Sequence, residues 1–398
     1  MPSKINGKPV LLNIVTDSLS TIFFRGNLGF MKKRGFNVGI CSSPGKLLSE
    51  VSKSEGIDAF ELPMEREICP LKDLISFWHL IILMRRLRPT IVNAGTAKAG
   101  LLGMLAAFLT GVPIRIHQQR GLRSETLTGI KRQIILFTEW LACSCATKVI
   151  CNSFSLRNTT ISLRLAIEEK CTVLGAGSSK GVDAVSFSLN ENTLQKTRLL
   201  QKKYNISPMD PVIGFIGRLV RDKGIGELRE AFERIQSEFP AVRLILIGPR
   251  EAGDPIGREC LEWLEKQANV IFTGHIDDVV PWYPLFHVLA FPSYREGFPN
   301  VPLEAAAMQI PVVGFRSTGV VDAVQDGVTG MLVAQGDIDA LSKALISYLR
   351  DPVMRFKHGQ AGRERIVRDF QPDRIWEALY QVYVEQMKKH GLPIPKSI

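Results

Sequence analysis

Short apolar runs alternate with longer segments of helical period along the whole chain. Runs at 10–15, 37–41, 91–94, 114–117, 148–152 and 171–174 predict β-strands. The stretches 23–33, 47–55, 71–87, 100–109, 132–143 and 155–165 between them place apolar residues three and four apart and predict helices. From Pro211 the alternation restarts, with strands predicted at 212–216, 244–247, 270–273, 288–291, 312–314 and 331–333. Helices are predicted at 225–237, 259–267, 302–307 and 338–349. Strands that alternate with helices imply βαβ units and parallel sheets. The pattern therefore predicts an α/β chain of two doubly wound, Rossmann-like domains in tandem. Periodicity lapses at 175–181, where Gly and Ser dominate, which suggests a hinge. The expected organisation is a first domain over 1–185, a linker over 186–210 with a polar helix near 190–205, and a second domain over 211–371. A last amphipathic stretch, 374–389, follows Pro372 and is ambiguous by periodicity alone.

Composition adds little except in its charge. The chain has 398 residues, 45% hydrophobic and 22% charged, which excludes disordered, collagen-like and disulfide-scaffold classes. Residues 1–183 hold 24 basic and 13 acidic side chains, so the first half carries the whole formal charge of +11. A basic half implies an anionic partner: nucleic acid, a membrane surface or a phosphorylated substrate. No helix-turn-helix, zinc or aromatic RNA-binding signature is present, so nucleic acid is not expected. The segment 71–88 joins Phe77, Trp78 and an apolar run to Arg85, Arg86 and Arg88. That suits an interfacial helix on anionic lipid and equally a buried helix with a basic end. The seven cysteines match no disulfide or zinc spacing and read as small buried hydrophobes in a reducing compartment. The N-terminal Met-Pro-Ser-Lys and the short run after it lack a secretory signal. The apolar stretches fall short of the ~18 residues of a spanning helix.

Two constellations carry chemistry. Gly214-Phe-Ile-Gly217-Arg218-Leu-Val-Arg-Asp-Lys223-Gly224 directly follows a predicted strand. Glycine there permits close approach of backbone to ligand, and Arg218 and Lys223 put cations at the carboxyl end of a parallel sheet. Read alone, this could also be a tight turn with two solvated cations. The second is Pro292-Ser-Tyr-Arg-Glu296-Gly297-Phe298-Pro299-Asn300-Val301-Pro-Leu-Glu304. It places Glu296 in a loop and Glu304 in the first turn of the next helix. Carboxylates accept from sugar hydroxyls, and the amides of 297–301 suit an anion. Glu304 could instead complement the helix dipole. No convincing Asp-x-Asp metal motif exists; Asp337-Ile-Asp339 reads as a helix N-cap.

Together these motifs resemble the retaining family-4 glycosyltransferases. Gly248-Pro249, Gly274-His-Ile-Asp-Asp, Trp282-Tyr-Pro-Leu-Phe-His-Val288, Gly314-x4-Gly319 and Asp326-Gly327-x2-Gly330 fit the same pattern. The first half is similar, more loosely, to capsule, exopolysaccharide and lipopolysaccharide enzymes in Ala97-Lys98-Ala99-Gly100-Leu-Leu-Gly103 and Arg120-Gly121-Leu122-Arg123. The resemblance implies the GT-B fold, two Rossmann-like domains facing across a cleft, with 372–390 packing back on the first domain. It implies that Gly217, Arg218 and Lys223 hold the donor diphosphate and that Glu296 binds the donor sugar. The backbone of Gly297, Phe298, Pro299, Asn300 and Val301 would lie by its phosphate, with Glu304 on the ribose. His117, at the end of a first-domain strand, is the candidate for the catalytic histidine of the family, although its spacing from Pro113 is short. A structural role bonded to backbone is as consistent. The expected activity is metal-independent, retaining transfer of a hexose or N-acetylhexosamine from a nucleotide sugar, UDP-linked by preference. The acceptor would be a polyprenyl-diphosphate-linked saccharide of surface polysaccharide synthesis, met at the cytoplasmic face of the membrane. An epimerase of the same fold and a non-catalytic nucleotide-sugar-binding subunit are the alternatives.

Overall fold

The computed structural model describes residues 7–65, 67, 69–251 and 255–396, so the N-terminal Met-Pro-Ser-Lys lies outside the described residues. The chain divides into two compact units, residues 1–180 with 373–398 and residues 181–372. In the first unit, strands β1 (Val10–Ile14), β2 (Asn37–Ser42), β3 (Asp58–Glu61), β4 (Ile91–Gly95), β5 (Ile114–Gln119), β6 (Lys148–Cys151) and β7 (Cys171–Val173) form one parallel sheet. Its order is β3-β2-β1-β4-β5-β6-β7, so the chain reverses its direction of travel across the sheet between β1 and β4. Helices α1 (Asn27–Lys33), α2 (Lys46–Glu55), α3 (Pro70–Leu87), α4 (Ala97–Leu109), α5 (Gly129–Cys145) and α6 (Phe154–Ser162) connect the strands.

Both faces of this sheet are covered, which is why its central strands read as continuous apolar runs rather than alternating ones. Leu12, Ile14, Val92 and Ala94 pack under α3, α4 and α5 together with Cys143, Cys145, Cys151 and Cys171. Leu11, Val15, Ile91 and Ile116 pack on the opposite face. Burial pushes the thiols of Cys41 and Cys143 up, as for small hydrophobes, and the neighbouring Cys171 thiol, with burial second, pushes up that of Cys151.

The edge strand β3 was not legible in the pattern. Its residues Asp-Ala-Phe-Glu are mostly exposed and pair only with β2. The predicted helix at 23–33 is broken by Gly26: a 3-10 turn over Ser18–Phe24 precedes α1.

The second unit opens with α7 (Glu191–Lys203). This helix, expected in a linker, packs on the unit's own 3-10 turn at Val280–Leu285. Thr197 Oγ1 donates to the Pro281 carbonyl at 2.8 Å, and the Tyr204 ring packs at a tilt against Trp282. Strands β8 (Val212–Ile216), β9 (Arg243–Ile247), β10 (Val270–Gly274), β11 (Val288–Phe291), β12 (Val312–Phe315) and β13 (Gly330–Val333) form a parallel sheet ordered β10-β9-β8-β11-β12-β13. Its reversal falls between β8 and β11. Helices α8 (Ile225–Glu238), α9 (Arg258–Lys266), α10 (Asn300–Ala307), α11 (Val320–Ala323), α12 (Ile338–Arg350) and α13 (Pro352–Asp369) complete the unit. Asp337 caps α12, its carboxylate accepting from the Ala340 amide at 2.9 Å.

Helix α13 was missed because glycines and charges blur its period. Those glycines allow close packing: a Cβ on Gly359 would lie 2.1 Å from the Gln309 carbonyl oxygen, and one on Gly362 would lie 3.1 Å from Ala306 Cβ. The last helix, α14 (Pro372–Lys389), packs on the first unit, with Tyr383 edge-on to Phe36 and Asn93 Nδ2 donating to Tyr383 Oη at 2.6 Å.

Candidate functional site

Open parallel sheets bind ligands at the carboxyl ends of the two strands that flank the reversal. In the second unit those strands are β8 and β11, and both motifs follow them directly. The glycine loop after β8 is pinned to the β11 loop at Gly224. Its φ of 70° is left-handed, and a Cβ there would lie 2.1 Å from the Pro292 carbonyl oxygen, so only glycine fits. This contact brings Lys223 to Glu296. Lys223 Nζ and Glu296 Oε1 are 2.5 Å apart, and their side chains are only 13% and 17% exposed. Ser293 Oγ joins them, 3.0 Å from Glu296 Oε1 and 3.4 Å from Lys223 Nζ.

Glu296 is thus no solvated loop carboxylate. A charge pair this sheltered loses hydration and is held by geometry rather than by net stability, a pattern common where charge serves a ligand. Arg218, in the same loop, reaches Glu251 at 2.7 Å. Arg295 and Asp222 form a third pair across the two loops at 2.8 Å, reinforced by the Tyr294 amide donating to the Asp222 carbonyl.

The remaining donor-side residues fall into distinct roles. Gly297, Phe298 and Pro299 lead into α10, which begins at Asn300, so Glu304 lies beyond the first helical turn and the dipole reading of it is corrected. Glu304 accepts from the Tyr283 hydroxyl at 3.0 Å; burial, and after it the neighbouring Glu304 carboxylate, pushes the phenol pKa well up. Phe298 packs its ring on Phe370 with 5.5 Å between centroids, which leaves only its backbone to face a ligand. Pro299 has no N–H and so donates nothing; it is the extended residue before the helix. Gly217 takes its place by donating its amide to the Ile247 carbonyl. Sequence reasoning missed Ser293, Glu251 and Tyr283. Ser293 stood inside the quoted motif as a second oxygen beside Glu296, and Tyr283 inside the quoted Trp282–Val288 segment with no sign of its partner; Glu251 is distant in sequence and left no local signal.

His117 belongs to the first unit. It is 2% exposed, with its ring over Gly100, where a Cβ would come within 2.5 Å of the imidazole. Its Nε2 bonds the Gln119 side-chain oxygen at 2.7 Å, and Gln119 Nε2 donates to Glu139 Oε2 at 3.0 Å. Because the Gln119 amide gives its NH2 to Glu139, its oxygen must accept, which sets His117 as the neutral Nε2–H tautomer. Nδ1 then faces the interior with no partner. Burial pushes the imidazole down to about 4 and the Glu139 carboxyl up to about 7. The backbone bond anticipated for a structural His117 is replaced by this side-chain chain.

Comparison with known proteins assigns this arrangement a class. Residues 210–351 match the model of group 1 glycosyl transferases, and residues 10–153 match a glycosyl transferase 4-like model. A capsular polysaccharide biosynthesis glycosyltransferase, CapM of Staphylococcus aureus, is 38% identical over 379 residues, covering 95% of this chain and 98% of that one. An Escherichia coli enzyme described as UDP-Gal:alpha-D-GlcNAc-diphosphoundecaprenol alpha-1,3-galactosyltransferase is 25% identical over 354 residues, covering 87% of this chain and 88% of that one. The fold matches the crystal structure of Anabaena Alr3699/HepE in complex with UDP and glucose. That match has a TM-score of 0.77 at 18% identity, over 94% of this chain and 99% of that one. The chain belongs to the family-4-like glycosyltransferases of GT-B fold.

Proposed function

We propose that the chain is a retaining, metal-independent glycosyltransferase that moves a hexose or N-acetylhexosamine from a UDP-sugar to a lipid-linked saccharide in capsule or surface polysaccharide synthesis. The observation that carries the reading is the Lys223–Ser293–Glu296 cluster at the reversal point of the second sheet. In this mechanism Lys223 and Arg218 hold the donor diphosphate and stabilise the negative charge that develops on the departing nucleotide, the role a metal ion plays elsewhere. Glu296 accepts from donor-sugar hydroxyls, the backbone of 297–301 lies against the phosphate, and Glu304 accepts from the ribose. The buried His117 acts as a positioning group that fixes the end of β5. The UDP in the Anabaena complex and the diphosphoundecaprenol acceptor of the Escherichia coli relative support this choice of donor and acceptor class.

A membrane-surface acceptor requires a way to reach it, and the first unit offers an apolar face. Helix α3 exposes Leu71, Leu74, Ile75, Trp78 and Ile82 along one side, and α5 exposes Ile130, Ile134, Phe137 and Trp140 at the same spacing. Helix α4 packs against both and exposes Phe108 and Leu109 at its end. Arg85 and Arg86 on α3, with Lys131 and Arg132 on α5, supply charge complementary to anionic lipid. No helix among the described residues is long and apolar enough to cross a membrane.

The test is incubation of the protein with labelled UDP-sugars and a bacterial lipid extract, with and without EDTA. Label entering lipid in both conditions supports the reading. Loss of transfer with EDTA overturns metal independence. Conversion of the free donor without lipid indicates an epimerase, and no reaction with any donor indicates a binding subunit.

A further inference from the structure

Arg120 stands apart from the other arginines of the chain. Among the described residues, ten other half-buried arginines have their charge or donors met: Arg34, Arg157, Arg218, Arg229, Arg243 and Arg295 each pair with a carboxylate, and four more donate to at least two carbonyl oxygens. Arg115, Arg355, Arg363 and Arg365 are of the second kind. Arg120 has one neutral acceptor, the buried Gln118 side-chain oxygen, 2.6 Å from Nη2. Its Nε is buried with no hydrogen-bond partner. Burial pushes the guanidinium down to about 10, and no nearby charge counters it. A sheltered cation without a counter-charge is costly, and an unmet donor beside it adds to the cost, so an absent anion is the economical explanation.

The position fits. Arg120 directly follows β5, on the carboxyl edge of the first sheet. Its guanidinium lies over the rings of Phe23 and Phe24, 4.7 and 5.3 Å from their centroids, in the segment that follows β1. It also lies against Gly95, the last residue of β4, where a Cβ would stand 2.7 Å from Nε. β1 and β4 are the strands that flank the reversal of this sheet. Helix α4 starts two residues beyond Gly95; its cap residue Thr96 bonds its hydroxyl to Thr16 rather than to the helix, and Thr16 Oγ1 accepts from the Ala99 amide at 3.3 Å, while the side chain of Thr96 caps none of the first amides. A built aromatic and glycine frame thus holds an unpaired guanidinium beside a helix N-terminus at the ligand-binding edge of a parallel sheet.

We infer that Arg120 anchors a phosphate or diphosphate group of a substrate at the carboxyl edge of the first unit. Its free Nε–H and the guanidinium fork supply charge-assisted bonds to the phosphate oxygens. The group comes either from the acceptor's diphosphate or from the nucleotide. The glycosyltransferase reading supplies only these two sources; the binding step is tested without any transfer.

The probe is inorganic pyrophosphate, titrated calorimetrically into the full chain with and without saturating UDP. Arg120→Gln should weaken pyrophosphate binding at least tenfold in the presence of saturating UDP, while Lys196→Gln, an exposed charge on α7, leaves that binding within twofold. This result assigns the acceptor's diphosphate. If Arg120→Gln weakens UDP binding tenfold instead, the anion is the nucleotide's. Arg120→Lys keeps the charge but loses the fork, and it should bind pyrophosphate several-fold more weakly than the native chain; it serves as the folded variant should the glutamine variant not fold. Unchanged affinity for both pyrophosphate and UDP in a folded Arg120 variant overturns the inference and leaves the arginine a packing residue. Failure of UDP to bind the native chain would strike the donor reading alone, because pyrophosphate binding at Arg120 is read independently.

Discussion

Replacing Glu139 by glutamine should make the protein more stable, and more so the higher the pH. Glu139 is 6% exposed and accepts from Gln119 at 3.0 Å, and burial raises its carboxyl from 4.5 to about 7. A raised folded-state pKa gives stability that is fully present below 4.5 and is lost as pH rises through 7. The unfolded chain ionises first, so the folded chain must release its proton against burial. With these two values the penalty is about 1 kcal/mol at pH 5 and about 3 kcal/mol at pH 8. Glutamine keeps an oxygen for Gln119 and removes the ionisation. Its extra N–H adds a cost independent of pH, which cancels when the two pH values are compared. The gap of about 2 kcal/mol corresponds to roughly 4–8 °C in Tm for a unit of this size. His117 works in the opposite direction. Its lowered pKa gives stability present above 6.5 and lost as pH falls toward about 4, equally in both proteins. The assay is Tm of native and E139Q protein from pH 5 to 8. Parallel curves would refute the account of the buried His117–Gln119–Glu139 chain.

Three further outcomes follow from the packing. Tyr283→Phe removes a hydroxyl donor to Glu304 from a fully buried ring and should cost about 1 kcal/mol by urea denaturation, with UDP binding a few-fold weaker by calorimetry. Gly359→Ala puts a Cβ into the Gln309 carbonyl at the α10–α13 contact and should cost about 1–3 kcal/mol by the same measure. Sedimentation with vesicles of anionic lipid should deplete the native chain and leave the Trp78→Ser/Ile134→Ser variant in solution. Added salt should weaken vesicle binding more than nucleotide-sugar binding, because screening acts most on exposed charge.

Most of the fold was legible because buried parallel strands leave continuous apolar runs and surface helices leave a period. Thus β8 and β11 appear in the sequence with their observed ends. What failed to show was held by other means. The strand β3 is an exposed edge with acids at both ends, and α13 hides its period behind glycines that exist for close packing. In the candidate site, the charged residues were visible through their spacing, but their partners were not. Nothing in sequence says that Lys223 meets Glu296 rather than solvent; that follows from Gly224 fitting under Pro292. Nor does sequence reveal that His117 is sealed from solvent, since a strand-end histidine reads the same whether covered or open. Arg120 was visible only as part of a motif, and its lack of a counter-charge is a property of the fold.

The most direct test of the central claim is the turnover number of Glu296→Gln with its UDP-sugar and lipid acceptor. Glutamine preserves the shape of the side chain beside Lys223 and Ser293 but removes the charge that accepts from the donor sugar. The account predicts a fall in kcat of roughly 10²-fold or more, with UDP affinity within a few-fold of native and a Tm lowered only by the loss of Lys223's counter-charge. Native turnover in a folded Glu296→Gln protein would contradict it.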